Sequence, residues 1–145
     1  MAFILRKAFD SDIEIIKPYA DKLNLDSDGL EADKLFVANK NKSLAGFGRY
    51  KTYGNIYEIS TVGVLEYFRG QGIGKIIMEK LITKATSDEI WLTTVIPEYF
   101  TKFGFVRRGN VPLELIKKTE KICKKFNKPV ELNVYMKLDS RQKIL

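Results

Sequence analysis

Three glycines within five residues, Gly70, Gly72 and Gly74, stand between an apolar run ending in Val62-Gly63-Val64 and a stretch with helical spacing of isoleucines. This turn constrains the fold more than any other feature. A strand that passes through glycines into a helix start aims several backbone N–H groups at one spot, where the aligned peptide dipoles also favour negative charge. The turn therefore predicts a phosphate cradle. A P-loop would need Gly in place of Arg69 and Ser or Thr in place of Ile76. A dinucleotide fingerprint would need its third glycine at Lys75, after a doubly wound topology rather than a run of hairpin-like strands.

The flanking pattern predicts the rest of the fold. Phe3 to Ala8 reads as a strand, and Ser11 with Glu14 as the capping box of a helix reaching about Leu23. The polar stretch Asn24 to Gly29 reads as a loop, a lid in an enzyme or a plain connector. Leu35–Ala38 and Leu44–Tyr50 form a hairpin, followed by a strand from Ile56 to Leu65. Two-residue alternation on that strand puts Glu58, Ser60, Val62 and Val64 on one face. A helix follows the glycines to about Ser87, then a strand Ile90–Val95 and a short helix opened by Pro97 and stopped by Gly104. A strand Phe105–Arg108, a lysine-rich helix opened by Pro112, a last strand Val130–Leu138 and a polar tail from Asp139 complete a mixed α/β layer fold.

At 145 residues with 45% hydrophobic content, the chain reads as a single domain over residues 1–145. The absence of histidine excludes histidine-based hydrolase triads and histidine-ligated zinc, so no metal is expected. Acid and base work falls to Glu, Asp, Tyr, Lys or water. Cys123 is the single cysteine and falls on the apolar stripe of the lysine-rich helix, which reads as burial rather than chemistry. The start of the chain has no leader pattern and no stretch is long enough to span a membrane, so a cytoplasmic location is expected. The net charge of +7 is largely local, with six lysines against Glu114 and Glu120 between Pro112 and Lys128. Such a face is a solvated surface first and an electrostatic funnel second.

Arg69-Gly70-Gln71-Gly72-Ile73-Gly74 after Val62-Gly63-Val64 resembles the acyl-CoA-binding signature of the GNAT N-acetyltransferase superfamily. The resemblance extends to the N-terminal strand and helix, the hairpin, a Glu eleven residues before Arg69 and the Pro97 to Phe105 segment. It implies a mostly antiparallel sheet splayed at a cofactor cleft and flanked by helices. It also implies acetyl-CoA as co-substrate, its pyrophosphate on Arg69, Gly70, Gln71, Gly72, Ile73, Gly74 and Lys75. The pantetheine arm would pair with Val62, Gly63 and Val64, a backbone N–H near Val62 would polarise the thioester carbonyl, and Phe100 and Phe103 would line the cofactor side. Glu58 is the implied base. The family's usual tyrosine position holds Phe100 here, so Tyr99, a water or no group at all would protonate the departing thiolate.

Residues from Leu92 through the Pro112-opened helix resemble stand-alone amino-acid N-acetyltransferases, similar to the acetyltransferase domain of N-acetylglutamate synthase. The expected acceptor is a small amine, foremost an amino acid, glutamate being one candidate, with Arg49 and Arg107 or Arg108 as candidate ligands for its carboxylate. A homodimer is compatible with this reading. Two alternatives stand beside it: a protein or peptide acceptor, and a non-catalytic acyl-CoA-sensing or nucleic-acid-binding module. The lysine helix lacks the interleaved aromatics that nucleic-acid binding would favour.

Overall fold

The computed structural model describes residues 3–139. In chain order the elements are β1 (Ile4–Lys7), α1 (Asp10–Lys22), β2 (Leu35–Lys40), β3 (Ser43–Tyr53), β4 (Ile56–Val64), α2 (Ile73–Thr83), β5 (Glu89–Thr94), α3 (Pro97–Thr101), β6 (Phe105–Arg107), α4 (Leu113–Phe126) and β7 (Val134–Leu138). They build a seven-stranded sheet of order β1-β2-β3-β4-β5-β7-β6. The pairs β1–β2, β2–β3, β5–β7 and β6–β7 are antiparallel, and β4–β5 is parallel. This is the expected mixed, mostly antiparallel sheet flanked by helices.

The chain divides into two compact units: one holds residues up to 51 together with 59–84, the other 52–58 together with residues from 85 on. In the first, α1 buries Ile16 and Ala20 against Leu35, Val37 and Phe47. On the other face of β3, α2 lies so close that a Cβ on Gly48 would stand 2.5 Å from a methyl of Ile77. Gly46 is similarly tight against Ile73 and Ile77, so the glycines of β3 are what let α2 bury its isoleucines. The β2–β3 turn puts Asn41 and Lys42 at φ of 51° and 70°, the left-handed pair that a two-residue hairpin requires.

In the second unit β7 lies between β5 and β6, with Trp91 opposite Lys137 and Phe105 opposite Leu138. The amphipathic α4 buries Leu115, Thr119 and Cys123. The parallel β4–β5 register runs from Ile56 beside Glu89 to Glu58 beside Trp91. Both strands continue past this short ladder, β4 to Val64 and β5 to Thr94.

Several expectations are corrected. Helix α1 begins at Asp10, and its start is braced by the Asp12 carboxylate, which accepts the Phe9 N–H at 2.7 Å and the Arg6 guanidinium at 2.7 Å. Ser11 is the second residue of the helix and not its N-cap, so the Ser11/Glu14 box does not form. Helix α2 ends at Thr83 rather than Ser87. Residues Val130–Leu132 form a single 3₁₀ turn after Pro129, and the last strand starts at Val134. Most of the expected polar tail lies outside the described residues.

The largest departure is in β4, where Thr61 takes a φ of 56°. A β-branched residue in this left-handed region marks a bulge that must be held by its surroundings. The Thr61 hydroxyl lies 3.1 Å from that of Ser60, so two consecutive side chains turn to one side. Alternation is thereby broken, and Glu58 and Ser60 do not share a face with Val62 and Val64.

Candidate functional site

The glycine turn has the backbone that a phosphate cradle needs. Gly70 and Gly72 have φ of 80° and 83°, and a Cβ on either would meet nothing within 4 Å. The glycines are therefore required by backbone conformation in an open turn, not by crowding. Gly72 caps α2, and the first helical bond of this end runs from Ile76 N–H to the Gly72 carbonyl at 3.2 Å. The N–H groups of Ile73, Gly74 and Lys75 precede that bond and have no partner within the helix. Ile73 itself is buried, so its side chain is a core anchor and only its backbone faces the turn's function. Arg69 donates from Nε to the Val64 carbonyl at 3.0 Å, folding over the end of β4, while Lys40 reaches Gln71 Oε1 at 3.5 Å. Arginine, lysine and helix N-terminus thus present positive potential around an open turn.

Gly63 has a different reason. A Cβ there would stand 2.7 Å from the Phe47 ring, so this glycine is demanded by packing within the core.

Arg49 is buried at 2% exposure, where sequence reasoning placed a substrate ligand. Its Nε donates to Thr61 Oγ1 at 2.9 Å, Nη1 to the Asp28 carbonyl at 2.7 Å and Nη2 to the Asp26 carbonyl at 2.8 Å. The same Nη2 lies 3.2 Å from Asp26 Oδ2, which Lys51 also meets at 2.5 Å. Burial pushes the Asp26 carboxyl up, but the Lys51 hydrogen bond and charge, with Arg49, outweigh it and hold it below the usual range. Arg49 therefore pins the 24–29 loop to β3 and, through Thr61, to the bulge of β4. Its guanidinium is spent on this framework, which corrects the ligand assignment; the same contacts tie down a loop that was open to reading as a lid.

Glu58 is fully buried, and its two oxygens are treated differently. Oε1 accepts the Tyr53 hydroxyl at 3.2 Å. Oε2 lies 2.5 Å from the Lys118 ammonium on α4, a close ion pair, yet no donor is aligned on it as a hydrogen bond. One further buried side-chain oxygen lacks a partner among the described residues: Thr93 Oγ1 on β5. Glu58 sits beside Trp91 in the parallel register, and Trp91 and Thr93 alternate onto one face. Glu58, Trp91 and Thr93 therefore share a side of the sheet.

Tyr99 is half-buried on α3, its ring edge-on to Phe100 and Phe103 at 5.0 and 5.5 Å between centroids, with Lys102 over its face. Burial pushes its hydroxyl pKa further above neutrality. Phe100 also packs edge-on against Phe105. Arg107 and Arg108 are exposed, Arg107 on the outer strand β6.

Sequence reasoning missed Asp26, Thr61, Tyr53, Thr93 and Lys118. For Lys118 a signal existed: it stands three residues after Leu115 and four before Ile122, on the apolar stripe of α4. A charge on such a stripe needs a buried partner. Among the described residues no trio of His, Cys, Asp or Glu is placed to hold a metal ion, and no helix is long and apolar enough to cross a membrane.

Comparison with solved structures finds this fold repeatedly. A Mycobacterium tuberculosis protein solved with CoA is 21% identical, with a TM-score of 0.70, over 93% of this chain and 98% of that one. N-acetylglutamate synthase from Neisseria gonorrhoeae, solved with CoA and N-acetyl-glutamate, is 14% identical with a TM-score of 0.72; the match covers 96% of this chain but 36% of the synthase. Escherichia coli ElaA is 15% identical with a TM-score of 0.66, over 95% of this chain and 100% of that one. At these identities the likeness establishes the fold. No curated protein matches the sequence. A family model described as Acetyltransferase (GNAT) family matches residues 3–105, well over half of the chain, and this chain belongs to that family.

Proposed function

We propose that this chain moves the acetyl group of acetyl-CoA to the α-amine of a free amino acid, glutamate being one candidate, with residues 1–145 acting as one catalytic domain. The observation that carries the donor is the open glycine turn on the N-terminus of α2, two of its glycines left-handed. The N–H groups of Ile73, Gly74 and Lys75, with Arg69 and Gln71, suit a pyrophosphate. Two solved structures of this fold hold CoA, which supports the same assignment.

The chemistry follows from β4. Val62, Gly63 and Val64 offer strand backbone to the pantetheine arm, and the positive φ at Thr61 turns the backbone just before Val62, whose N–H would stabilise the oxyanion. Glu58, four residues earlier on the strand, takes the proton of the incoming ammonium or of the adduct. The amine nitrogen bonds to the acetyl carbon, the carbon–sulfur bond breaks, and CoA leaves as thiolate. The Tyr99 phenol or a water then protonates the sulfur. Phe100 and Phe103 serve as the apolar side of the cofactor site. Amino-acid acceptors are favoured by the synthase among the matching folds and by an opposite-charge pair, Glu58 and Lys118, suited to a zwitterion.

The test is thiol release from acetyl-CoA across free amino acids, polyamines and peptides, with acetyl-CoA thermal stabilisation alongside. Turnover on amino acids with a raised melting temperature is expected. Turnover on peptides alone would overturn the acceptor, and no stabilisation by acetyl-CoA would overturn the donor.

A further inference from the structure

We infer that Lys118 is the specificity residue of the acceptor site: it binds the α-carboxylate of an amino acid whose α-amine takes Lys118's present place on Glu58. The inference rests on the amino-acid reading above and adds the residue that enforces it. Lys118 lies on α4, beyond the residues 3–105 that the family model matches, so the assignment belongs to this chain's own C-terminal helix.

Three observations carry it. Of the arginines that sequence reasoning offered for the carboxylate, Arg49 is engaged on every side by Thr61, Asp26 and Asp28, while Arg107 is exposed on β6, three strands from β4 in the sheet, and Arg108 is exposed just after it, so the cation nearest Glu58 is another one. Lys118 supplies one against the carboxylate read as the base: its Nζ lies 2.5 Å from Glu58 Oε2, with 15% of the lysine side chain exposed and none of the glutamate's. The contact is close but unaligned, and the Thr93 hydroxyl on the same face of the sheet is buried without a partner. Such groups in a folded interior ask for a ligand that completes them.

A zwitterion completes all three. Its ammonium meets Glu58 Oε2, its carboxylate meets Lys118 Nζ, and a carboxylate oxygen is an acceptor for Thr93 Oγ1. Because one carboxylate and one ammonium replace each other's partners, neither buried charge is left alone during the exchange. The four-carbon stem of lysine lets Nζ swing aside while α4 stays in place, which an arginine fork held by three partners could not do. An amine without a carboxylate has no such exchange. It would crowd a second ammonium onto Glu58 or strand Lys118 unpaired, so amines, esters and peptide N-termini are rejected by the same pair that admits amino acids.

The experiment compares each free L-amino acid with its methyl ester, which keeps the amine and deletes the negative charge. In the wild-type enzyme kcat/KM should favour the acid over the ester on the order of 100-fold, the size expected for leaving one buried charge unpaired. Lys118→Gln should collapse that ratio toward unity mainly through a raised KM for the acid, and Lys118→Arg should restore most of it. Acetyl-CoA thermal stabilisation, read on each variant, confirms a folded donor site. An unchanged ratio in Lys118→Gln would overturn the role of Lys118 while leaving amino-acid acetylation standing. Equal turnover of acid and ester by the wild type would overturn it without any variant, and turnover of peptides but not amino acids would sink both this inference and the acceptor reading.

Discussion

Two buried ion pairs stand on consecutive strands, Arg49 with Asp26 on β3 and Glu58 with Lys118 on β4, and they are built in opposite ways. Around Arg49 each arm of the guanidinium reaches a carbonyl, a hydroxyl or a carboxylate, and Asp26 has a second cation in Lys51. Around Glu58 one oxygen is bonded by Tyr53, while the other is met by an unaligned ammonium on a partly exposed, flexible stem. Burial is thus shared by both, and what separates them is satisfaction. The saturated pair fixes backbone; the unsaturated one is the pair proposed as a site.

The comparison breaks most sharply if Arg49→Met leaves the protein as stable as before. Removing the guanidinium leaves Asp26 with Lys51 as its cation, takes a donor from each of two loop carbonyls and removes one of the two contacts that hold Thr61 at its positive φ, at a cost of about 3–5 kcal/mol. Urea unfolding should show the loss, together with a melting temperature lower by roughly 10 °C in a chain of this size. Glu58→Gln should do the reverse. Its fold should be weakened by about 2 kcal/mol, less than in Arg49→Met because Lys118 alone loses a charged partner and the isosteric amide stays in place, while kcat falls on the order of 10²-fold or more for loss of the base. Equal stability losses in the two variants, or undiminished kcat in Glu58→Gln, would erase the distinction.

Two glycines extend the contrast between framework and site at smaller magnitude. Gly63→Ala drives a Cβ into the Phe47 ring at 2.7 Å and should cost about 1–3 kcal/mol of stability through overpacking. Gly72→Ala meets no neighbour within 4 Å, so its cost is that of a left-handed alanine, about 1–2 kcal/mol. The second should also shrink the thermal stabilisation given by acetyl-CoA, and by more than the first, which keeps the strand backbone proposed for the pantetheine arm. Equal shrinkage in both would detach the turn from donor binding.

The same contrast explains what could be read from sequence. The glycine turn was legible because Gly70 and Gly72 encode a φ that other residues avoid, and the order of strands and helices followed from periodicity. Thr61 was illegible for the converse reason: a β-branched residue with positive φ runs against local preference and is held there by Arg49 and Asp26. That one residue shifted the strand's faces and separated Glu58 from the valines. Arg49 looked like a free cation because its partners lie on a loop more than twenty residues earlier, whose return to β3 no local pattern announces. Lys118 was lost among lysines, though its place between Leu115 and Ile122 set it apart.

The finest test of the saturated pair is acid. Asp26 is held below the usual carboxylate range, as are Asp12 by Arg6 and Glu89 by Lys137. A carboxyl depressed in the folded state contributes stability above its unfolded value, about 3.9 for Asp, and that contribution is lost as pH falls through the folded value. Stability should therefore be level above about pH 5 and fall progressively below about pH 4. The three are not equal. Asp12 and Glu89 pair with partly exposed cations, so their shares should be small and fade in high salt. Asp26 is shielded, and its share should persist. In urea titrations from about pH 2.5 to pH 6 at high salt, Asp26→Asn should therefore show a shallower acid slope than the wild type, although it is less stable throughout. Identical slopes would mean that the Asp26 carboxylate is no better held in the native state than in the unfolded chain, and the buried network would then owe its strength to the carbonyl and hydroxyl partners of Arg49 alone.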